Sequence, residues 1–213
     1  MIVVHHLNNS RSQRILWLLE ELGVDYEIKH YQRDAETMLA PPSLKEVHPL
    51  GKSPVITDAE LTIAETGAIV EYIVSRYGNG KLVPATDTPE HLRYTYWLHY
   101  AEGSAMPPLL MNLIFNLFEI KDSKAMDGFI APQIKLHFDY IESELNKSKW
   151  FAGEEFTAAD IQMSFPLELL ASLPQQLESR PKIKEFLARI HERAAYKRGI
   201  EQGGEYDFAR SSK

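Results

Sequence analysis

Cysteine is absent from the 213-residue chain. This excludes disulfide bonds, thiolate metal ligands and a cysteine nucleophile, so any thiol chemistry must act on the thiol of a ligand. Long apolar runs are also missing, because no stretch approaches the roughly 20 residues that span a bilayer. The N-terminus lacks the charged and apolar regions of a signal peptide. We therefore expect a cytoplasmic protein that has no membrane partner.

Positive charge is scarce as well. The 23 Lys and Arg residues are outnumbered by 30 Asp and Glu residues, which gives a net charge of −7 at pH 7. Proteins that bind nucleic acid usually present a basic face, so we expect no nucleic-acid partner. The eight histidines show neither H-x-x-x-H nor H-E-x-x-H spacing, so we expect no metal site.

The beginning of the chain alternates between strand and helix patterns. Residues 2–7 are rich in β-branched side chains, a helical apolar pattern then ends at Gly23, and residues 26–31 alternate as a second strand. Two short strands, one after Pro54 and one around residues 61–63, precede another helix. The order βαβ followed by ββα predicts a compact α/β domain.

A linker is predicted at residues 81–88, because Asn79-Gly80 and the prolines between Pro84 and Pro89 interrupt both patterns. It divides an α/β domain at residues 1–80 from an all-α domain at residues 89–213. Helical spacing dominates the second domain. Its two clearest apolar faces are formed by Ile130, Ile134, Phe138, Ile141 and Leu145, and by Ile183, Phe186, Leu187 and Ile190.

The pair Thr157-x-x-Asp160 has the spacing of a capping box at a helix start. In such a box each side chain satisfies a backbone N–H of the other residue. We therefore expect Asp160 to serve folding rather than catalysis.

The segment Gly51–Ile56 is the most informative part of the chain. Pro54 cannot donate to a sheet, so at a strand entrance it marks an edge or a bend. If its peptide bond is cis, the backbone of Val55 would turn outward and could pair with an extended peptide. Glu65 and Thr66 would begin a helix whose free N–H groups favour a ligand carboxylate, while Glu65 could hold an amine. These residues predict a receptor for a short anionic peptide with a free amino end.

The whole chain resembles the soluble glutathione transferase superfamily, and its serine-type members in particular. Ser53-Pro54-Val55 matches the family's cis-proline site, Glu65-Thr66 matches the pair that holds the γ-glutamyl end, and Thr157-x-x-Asp160 matches the capping box of the helical domain. Further motifs are similar to a group found in bacteria and fungi: His5-x-Leu7-x-x-Ser10-Arg11-Ser12-x-Arg14, Trp17-Leu18-Leu19, Ala40-Pro41-Pro42 and His48-Pro49-Leu50-Gly51.

The resemblance implies a fold and an activity. The fold is a thioredoxin-like α/β domain followed by an all-α helical bundle. The activity is transfer of the glutathione thiol, as thiolate, to small electrophiles, with reduction of organic hydroperoxides as a second reaction. Glutathione would be the co-substrate, no metal would be needed, and the assembly would be a homodimer. The alternative is a ligand carrier or protein-interaction module of the same fold.

The resemblance also implies Ser10 as the hydroxyl that meets the glutathione sulfur. Read from the residues alone, Ser10 is a turn or N-cap serine. Asn9 is its first rival, because a shift of one residue in the turn would present the Asn9 amide instead, and Ser12 is a weaker one. The tyrosine-type members use a phenol near the end of the first strand, where this chain has His5 and His6.

The remaining site residues follow from the same resemblance. Lys52 would pair with the glycyl carboxylate, Val55 would bond the cysteinyl backbone, and Ser53 would be their neighbour. The complete predicted glutathione-binding set is Asn9, Ser10, Lys52, Ser53, Val55, Glu65 and Thr66. The electrophile is expected between the domains, and the candidates for that site are Tyr100, Ser104 and Met111. Each of these three would also suit the core of a helical bundle.

Overall fold

The computed structural model describes residues 1–120 and 124–212. Two compact units form, one from residues 1–83 with 189–211 and the other from residues 84–188. The strands and α-helices are β1 (Ile2–Leu7), α1 (Gln13–Leu22), β2 (Tyr26–Tyr31), β3 (Val55–Asp58), β4 (Leu61–Ala64), α2 (Thr66–Tyr77), α3 (Pro89–Tyr100), α4 (Met106–Leu117), α5 (Ala131–Leu145), α6 (Ala158–Ala171), α7 (Pro181–His191) and α8 (Ala194–Gly203).

The first unit contains a four-stranded mixed sheet in the order β2-β1-β3-β4. β1 and β2 are parallel, whereas β3 is antiparallel to both of its neighbours. The predicted βαβ and ββα units are therefore present in the predicted order. At one end of the sheet, Val55 pairs with His5 on one side and with Ala64 on the other.

Helix α1 forms the core of this unit. Its middle is fully buried, and it ends at Gly23, whose φ of 67° is the left-handed conformation that glycine adopts readily. α8 packs against it, with the Tyr196 ring 5.1 Å from the Trp17 ring and with an ion pair between Arg193 and Glu21.

This packing places residues 189–211 with the sheet, whereas the sequence analysis grouped them with the helices of residues 89–213. The reason is that α8 carries its buried face toward α1, a contact that joins the two ends of the chain. A compact unit shows which residues pack together and does not by itself define a domain. The domain boundaries predicted from the sequence therefore stay a prediction.

The second unit is helical. All five residues of the predicted face of α5 and its approach are buried, as are those predicted for α7. α6 is buried along almost its whole length, and the capping box of Thr157 and Asp160 is present at its start. Between α3 and α4 the chain forms a π-helical turn, Ala101–Ala105, which contains Ser104.

Within the described ranges, no helix combines the length and the apolar composition that crossing a bilayer requires.

Candidate active site

The Ser53–Pro54 peptide bond is cis, as the conditional prediction for this segment required. The Ser53 hydroxyl donates a hydrogen bond of 3.0 Å to the carbonyl of His5 in β1. Pro54 is buried, and β3 begins directly after it. This contact holds the cis turn against the end of β1.

Val55 lies in an interior strand. Because β3 has β1 on one side and β4 on the other at this residue, both of its edges face a neighbouring strand. A residue in a strand directs its N–H and C=O to the same side, so the Val55 backbone is directed at the sheet. The role of Val55 in bonding a peptide ligand stays a prediction.

Glu65 connects β4 to α2 in an unusual conformation. Its φ is 69° and its ψ is 119°, a combination that few residues other than glycine adopt. Its side chain is exposed, whereas Thr66 is buried at the first position of α2. The Arg14 guanidinium, buried in α1, donates to the Thr66 hydroxyl over 3.3 Å. The carboxylate of Glu65 is thus held outward at a helix N-terminus.

The turn after β1 is clamped from the C-terminal segment of the chain. Asn9 has a left-handed φ of 49°. Its side-chain amide donates to the Asp207 carboxylate over 2.9 Å, and its amide oxygen accepts from the Asp207 N–H over 2.8 Å. On the other side, the Arg33 guanidinium donates to the carbonyls of Asn8 and Asn9. Both ends of the Asn9 amide are therefore already bonded.

Ser10 follows directly and is 4% exposed. Its hydroxyl oxygen lies 2.7 Å from the Ser12 hydroxyl and accepts from the Ser12 N–H over 3.2 Å. Ser12 precedes α1 and in turn lies 2.8 Å from Nδ1 of His6. The backbone N–H of Ser10 has no acceptor among the residues that the structure describes. Ser10 can therefore offer a ligand atom its N–H, and also its O–H when the Ser12 hydroxyl is the donor in the contact between the two hydroxyls.

The two histidines of β1 are uncharged at neutral pH. Burial, together with the neighbouring His30, lowers the pKa of His6 to about 4. Burial also lowers the pKa of His5, together with the charge of Lys29. Each ring keeps a local partner, since Nδ1 of His5 lies 3.0 Å from the Tyr31 hydroxyl. Neither histidine supplies a cation to the site.

Lys52 is exposed in the loop before the cis bond, after Gly51, whose φ is 57°. Its ammonium group is free to meet an anionic ligand at the rim of this end of the sheet.

The three electrophile-site candidates all belong to the helical unit. The Tyr100 hydroxyl lies 2.7 Å from Nδ1 of His137, and the two groups share a hydrogen bond. Burial lowers the pKa of His137 and raises that of Tyr100, which favours the neutral form of both. Ser104 is half-buried in the π-helical turn, and Met111 is exposed on α4. Their role with an electrophile stays a prediction.

Several contacts in the site were missed by the sequence analysis. Asp207 and Glu205 bond the turn that carries Asn9, although they lie almost 200 residues away along the chain, and no local pattern announces such a contact. The sequence analysis named His6 only as a residue that stands where the tyrosine-type members have a phenol, and Ser12 only as a weaker rival to Ser10. The short spacing between a strand histidine and a turn serine was the available signal.

Comparison with known proteins indicates the same family as the sequence resemblance does. The model of the glutathione S-transferase N-terminal domain matches residues 1–75, and that of the C-terminal domain matches residues 107–194. Glutathione S-transferase 3 of Schizosaccharomyces pombe is 39% identical over 210 residues, covering 92% of this chain and 85% of the relative. Glutathione S-transferase 1 of Saccharomyces cerevisiae is 33% identical and covers 92% of each chain.

Solved structures agree in fold. A glutathione S-transferase from Actinobacillus pleuropneumoniae matches with a TM-score of 0.89 at 36% identity, covering 99% of this chain and 96% of that one. A glutathione transferase family member from Pseudomonas fluorescens, solved with two glutathione bound, matches with a TM-score of 0.79 at 25% identity over 94% and 92%. The predicted thioredoxin-like and helical domains are confirmed. The chain therefore belongs to the glutathione S-transferase family of enzymes.

Proposed function

We propose that this enzyme binds glutathione at one end of the sheet and activates its thiol as thiolate for conjugation to small electrophiles. Reduction of organic hydroperoxides by the same thiolate is the second reaction proposed.

One observation carries the proposal. The C-terminal end of β1, the N-terminal end of β3 and the C-terminal end of β4 meet at one edge, because His5, Val55 and Ala64 lie side by side. The Ser10 turn, the cis Ser53–Pro54 bond and the strained Glu65 each follow or precede one of these strand ends.

The binding roles follow from this arrangement. The exposed Glu65 carboxylate takes the free amine of glutathione, and the start of α2 at Thr66 takes the adjacent carboxylate. Lys52 pairs with the glycyl carboxylate as a point charge. The backbone of Ser53, beside the cis bond, pairs with the cysteinyl residue, while Val55 supports that turn from within the sheet. The Pseudomonas fluorescens relative, solved with glutathione bound, supports this choice of ligand.

The chemical step needs little free energy. An ordinary thiol titrates near ~8.5, and lowering its pKa by about 2 units requires about 2.7 kcal/mol of preferential stabilisation of the anion. One hydrogen bond to a charged acceptor supplies roughly 1.5–3 kcal/mol, and a helix N-terminus about 0.3–1 kcal/mol more. A single hydroxyl at the start of α1 is therefore sufficient.

Ser10 is the proposed donor, and Asn9 is its rival. The Asn9 amide uses both its nitrogen and its oxygen on Asp207, so it would have to leave these bonds to reach a sulfur. The Ser10 oxygen accepts from the Ser12 N–H, and its own hydrogen is available to the sulfur when the Ser12 hydroxyl donates across the 2.7 Å contact between the two hydroxyls. Because Ser10 is 4% exposed, the sulfur would contact the small part of this residue that faces solvent.

The electrophile is proposed to contact Tyr100, Ser104 and Met111, whose aromatic, hydroxyl and thioether groups suit apolar molecules with a polar reactive centre. A homodimer and a cytoplasmic location also stay proposals.

Titration of the ultraviolet absorbance of the thiolate of bound glutathione tests the proposal. We expect a thiol pKa well below ~8.5 in the wild type, a rise of 1 unit or more in Ser10→Ala, and little change in Asn9→Ala. Loss of the shift in Asn9→Ala alone would transfer the role to Asn9. If glutathione binds without any shift, or if only apolar molecules bind and none is turned over, the carrier function takes the place of catalysis.

A further inference from the structure

Three buried polar groups form a continuous chain behind the proposed sulfur donor. Nδ1 of His6 lies 2.8 Å from the Ser12 hydroxyl oxygen, which lies 2.7 Å from the Ser10 hydroxyl oxygen. The three residues are 2%, 0% and 4% exposed, respectively. We call His6, Ser12 and Ser10 the hydroxyl chain.

The hydrogens in this chain can be counted. Ser12 has one hydroxyl hydrogen, and its oxygen also accepts from the Leu7 N–H over 3.3 Å. Each of the two short contacts, to His6 and to Ser10, requires one hydrogen between its atoms. The Ser12 hydroxyl also lies 3.3 Å from the Leu7 carbonyl, a longer contact than either of these. The Ser12 oxygen has two lone pairs, and one of them accepts from the Leu7 N–H, so it can accept from only one of His6 and Ser10. Two arrangements therefore satisfy both short contacts with a neutral imidazole, and they run in opposite directions.

The position of the imidazole proton selects the direction. With the proton on Nδ1, His6 donates to Ser12, Ser12 donates to Ser10, and the hydrogen of Ser10 is left for a ligand. With the proton on Nε2, Ser12 donates to His6 and Ser10 donates to Ser12, so Ser10 has no hydrogen left for a sulfur.

The surroundings of Nε2 favour the first arrangement. Nε2 of His6 is buried and has no hydrogen-bond partner within residues 1–120 and 124–212. The Gly203 backbone raises the pKa of His6, as an acceptor for a ring N–H would, and so acts against this choice. It does not meet hydrogen-bond geometry with Nε2, however, so a proton on Nε2 would have no partner in the described part of the chain. An unpaired buried N–H is rarer than an unpaired acceptor. A proton on Nδ1 avoids burying an unpaired donor.

We propose that His6 is a positioning residue for thiol activation, because its Nδ1–H orients the Ser12 hydroxyl and, through it, directs the Ser10 hydrogen toward the glutathione sulfur. This inference rests on the proposed function of Ser10 as the sulfur donor.

Two amide substitutions separate the ring nitrogens. In His6→Asn the side-chain amide reaches the position of Nδ1, whereas in His6→Gln it reaches that of Nε2. The exposed His99, on α3, supplies the matched control His99→Asn. The readout is the thiol pKa of bound glutathione, and the binding of S-methylglutathione, which has no thiol proton, reports whether the folded site is intact.

We expect His6→Asn and His99→Asn to keep the lowered thiol pKa of the wild type. His6→Gln should raise the thiol pKa by at least 1 unit, which corresponds to an about tenfold lower thiolate fraction at acidic pH. The affinity of this variant for S-methylglutathione should stay within about twofold of the wild-type affinity, because the folded site is unchanged. Ser12→Ala should match His6→Gln, and the double variant should be no worse than either, since both break one chain.

The outcomes are distinguishable. An unshifted thiol in the wild type overturns the proposed function and this inference together. A shifted thiol that persists in His6→Gln and in Ser12→Ala overturns this inference alone.

The tautomer can also be observed without any loss of packing. Nitrogen-15 NMR of histidine-labelled wild-type protein distinguishes a protonated ring nitrogen from an unprotonated one, and the His6 signals are those missing from His6→Asn. Protonation at Nδ1 is expected in the glutathione complex, and protonation at Nε2 would refute the proposed direction.

Discussion

Glu65 shows how a single residue can hold strain where a ligand is expected. Its left-handed φ of 69° belongs to a class of conformations that cost about 1–3 kcal/mol each. The residue is exposed and makes no core contact that would require a glutamate. In the proposed function this strain has a use, because the Glu65 carboxylate at the start of α2 would bind the amine of glutathione.

Two substitutions at Glu65 separate strain from binding. Glu65→Gly removes both the carboxylate and much of the strain, because glycine adopts positive φ readily, whereas Glu65→Ala removes only the carboxylate. Both variants should bind glutathione at least ~10-fold more weakly, or about 1.4 kcal/mol. Urea unfolding should show Glu65→Gly more stable than Glu65→Ala by about 1 kcal/mol. Equal stabilities would show that the backbone there carries no strain.

Asp58 joins the end of β3 to α2. It accepts hydrogen bonds from the hydroxyls of Tyr77 and Tyr72, and it lies near Arg76. The Tyr77 bond is the main reason that the pKa of Asp58 lies below its usual range, with Tyr72 and Arg76 adding to it against the effect of burial.

The lowered pKa gives stability a pH dependence of known sign. Since the folded-state pKa is below the unfolded value of ~3.9, the stabilisation is complete above that pH and is lost as the pH falls through the folded-state value. Asp58→Asn should cost about 1–3 kcal/mol at pH 7, and this difference should shrink near pH 3. Urea unfolding at both pH values tests this, with the exposed Asp25→Asn as control. A difference independent of pH would contradict it.

At the scale of elements, the contact between α1 and α8 depends on small residues. A Cβ added at Gly199 would lie 3.1 Å from both the N and the Cα of Trp17, in the backbone of α1. That backbone belongs to the buried part of α1 and cannot give way as a flexible side chain would. The glycine therefore sets how closely the two helices approach.

Gly199→Ala and Gly128→Ala should have opposite effects. Alanine is favoured over glycine by about 1 kcal/mol within a helix, but the forced separation of α1 and α8 should outweigh this gain, leaving Gly199→Ala about 1–2 kcal/mol less stable. In the described part of the chain nothing lies within 4 Å of a Cβ added at Gly128, so Gly128→Ala should be neutral or stabilising. Urea denaturation midpoints measure both. A stabilising Gly199→Ala would show that the contact is loose.

Elements whose signals are local were predictable from the sequence. The capping box needs only Thr157 and Asp160 three residues apart, and the end of α1 needs only Gly23 after an apolar face. The cis bond could be stated only as a condition, since sequence does not separate the isomers of Ser53–Pro54. Strand order decides which backbone groups are free to bind a ligand, so the role of Val55 stays a prediction.

Contacts between distant segments were not predictable in the same way. The clamp of Asp207 on Asn9 joins residues 198 positions apart, and the packing of α8 on α1 joins the two ends of the chain. The direction of the hydroxyl chain from His6 to Ser10 depends on a proton, which no residue pattern specifies.

At the scale of the molecule, the helical unit exposes an apolar patch across α3 and α5. The two helices are neighbours, because the Trp97 ring stacks on that of Tyr140 and Arg93 pairs with Glu144. The patch consists of Leu92, Tyr96, Leu136 and Tyr140, which are 73%, 44%, 60% and 37% exposed. Exposed apolar patches of this kind mark interaction surfaces, and the homodimer proposed for this enzyme supplies an occupant.

Charge placed in this patch should separate the subunits. In a two-fold symmetric interface a substituted residue appears on both sides, so Leu136→Glu would bring two buried carboxylates to one contact. We expect it to weaken dimerisation at least ~100-fold, or about 2.7 kcal/mol. Phe129→Glu is the control, because Phe129 is similarly exposed, at 56%, but lies outside the patch. Sedimentation at micromolar concentration should find a dimer for the wild type and Phe129→Glu and a monomer for Leu136→Glu. A monomeric wild type would refute the homodimer, and a dimeric Leu136→Glu would place the interface elsewhere.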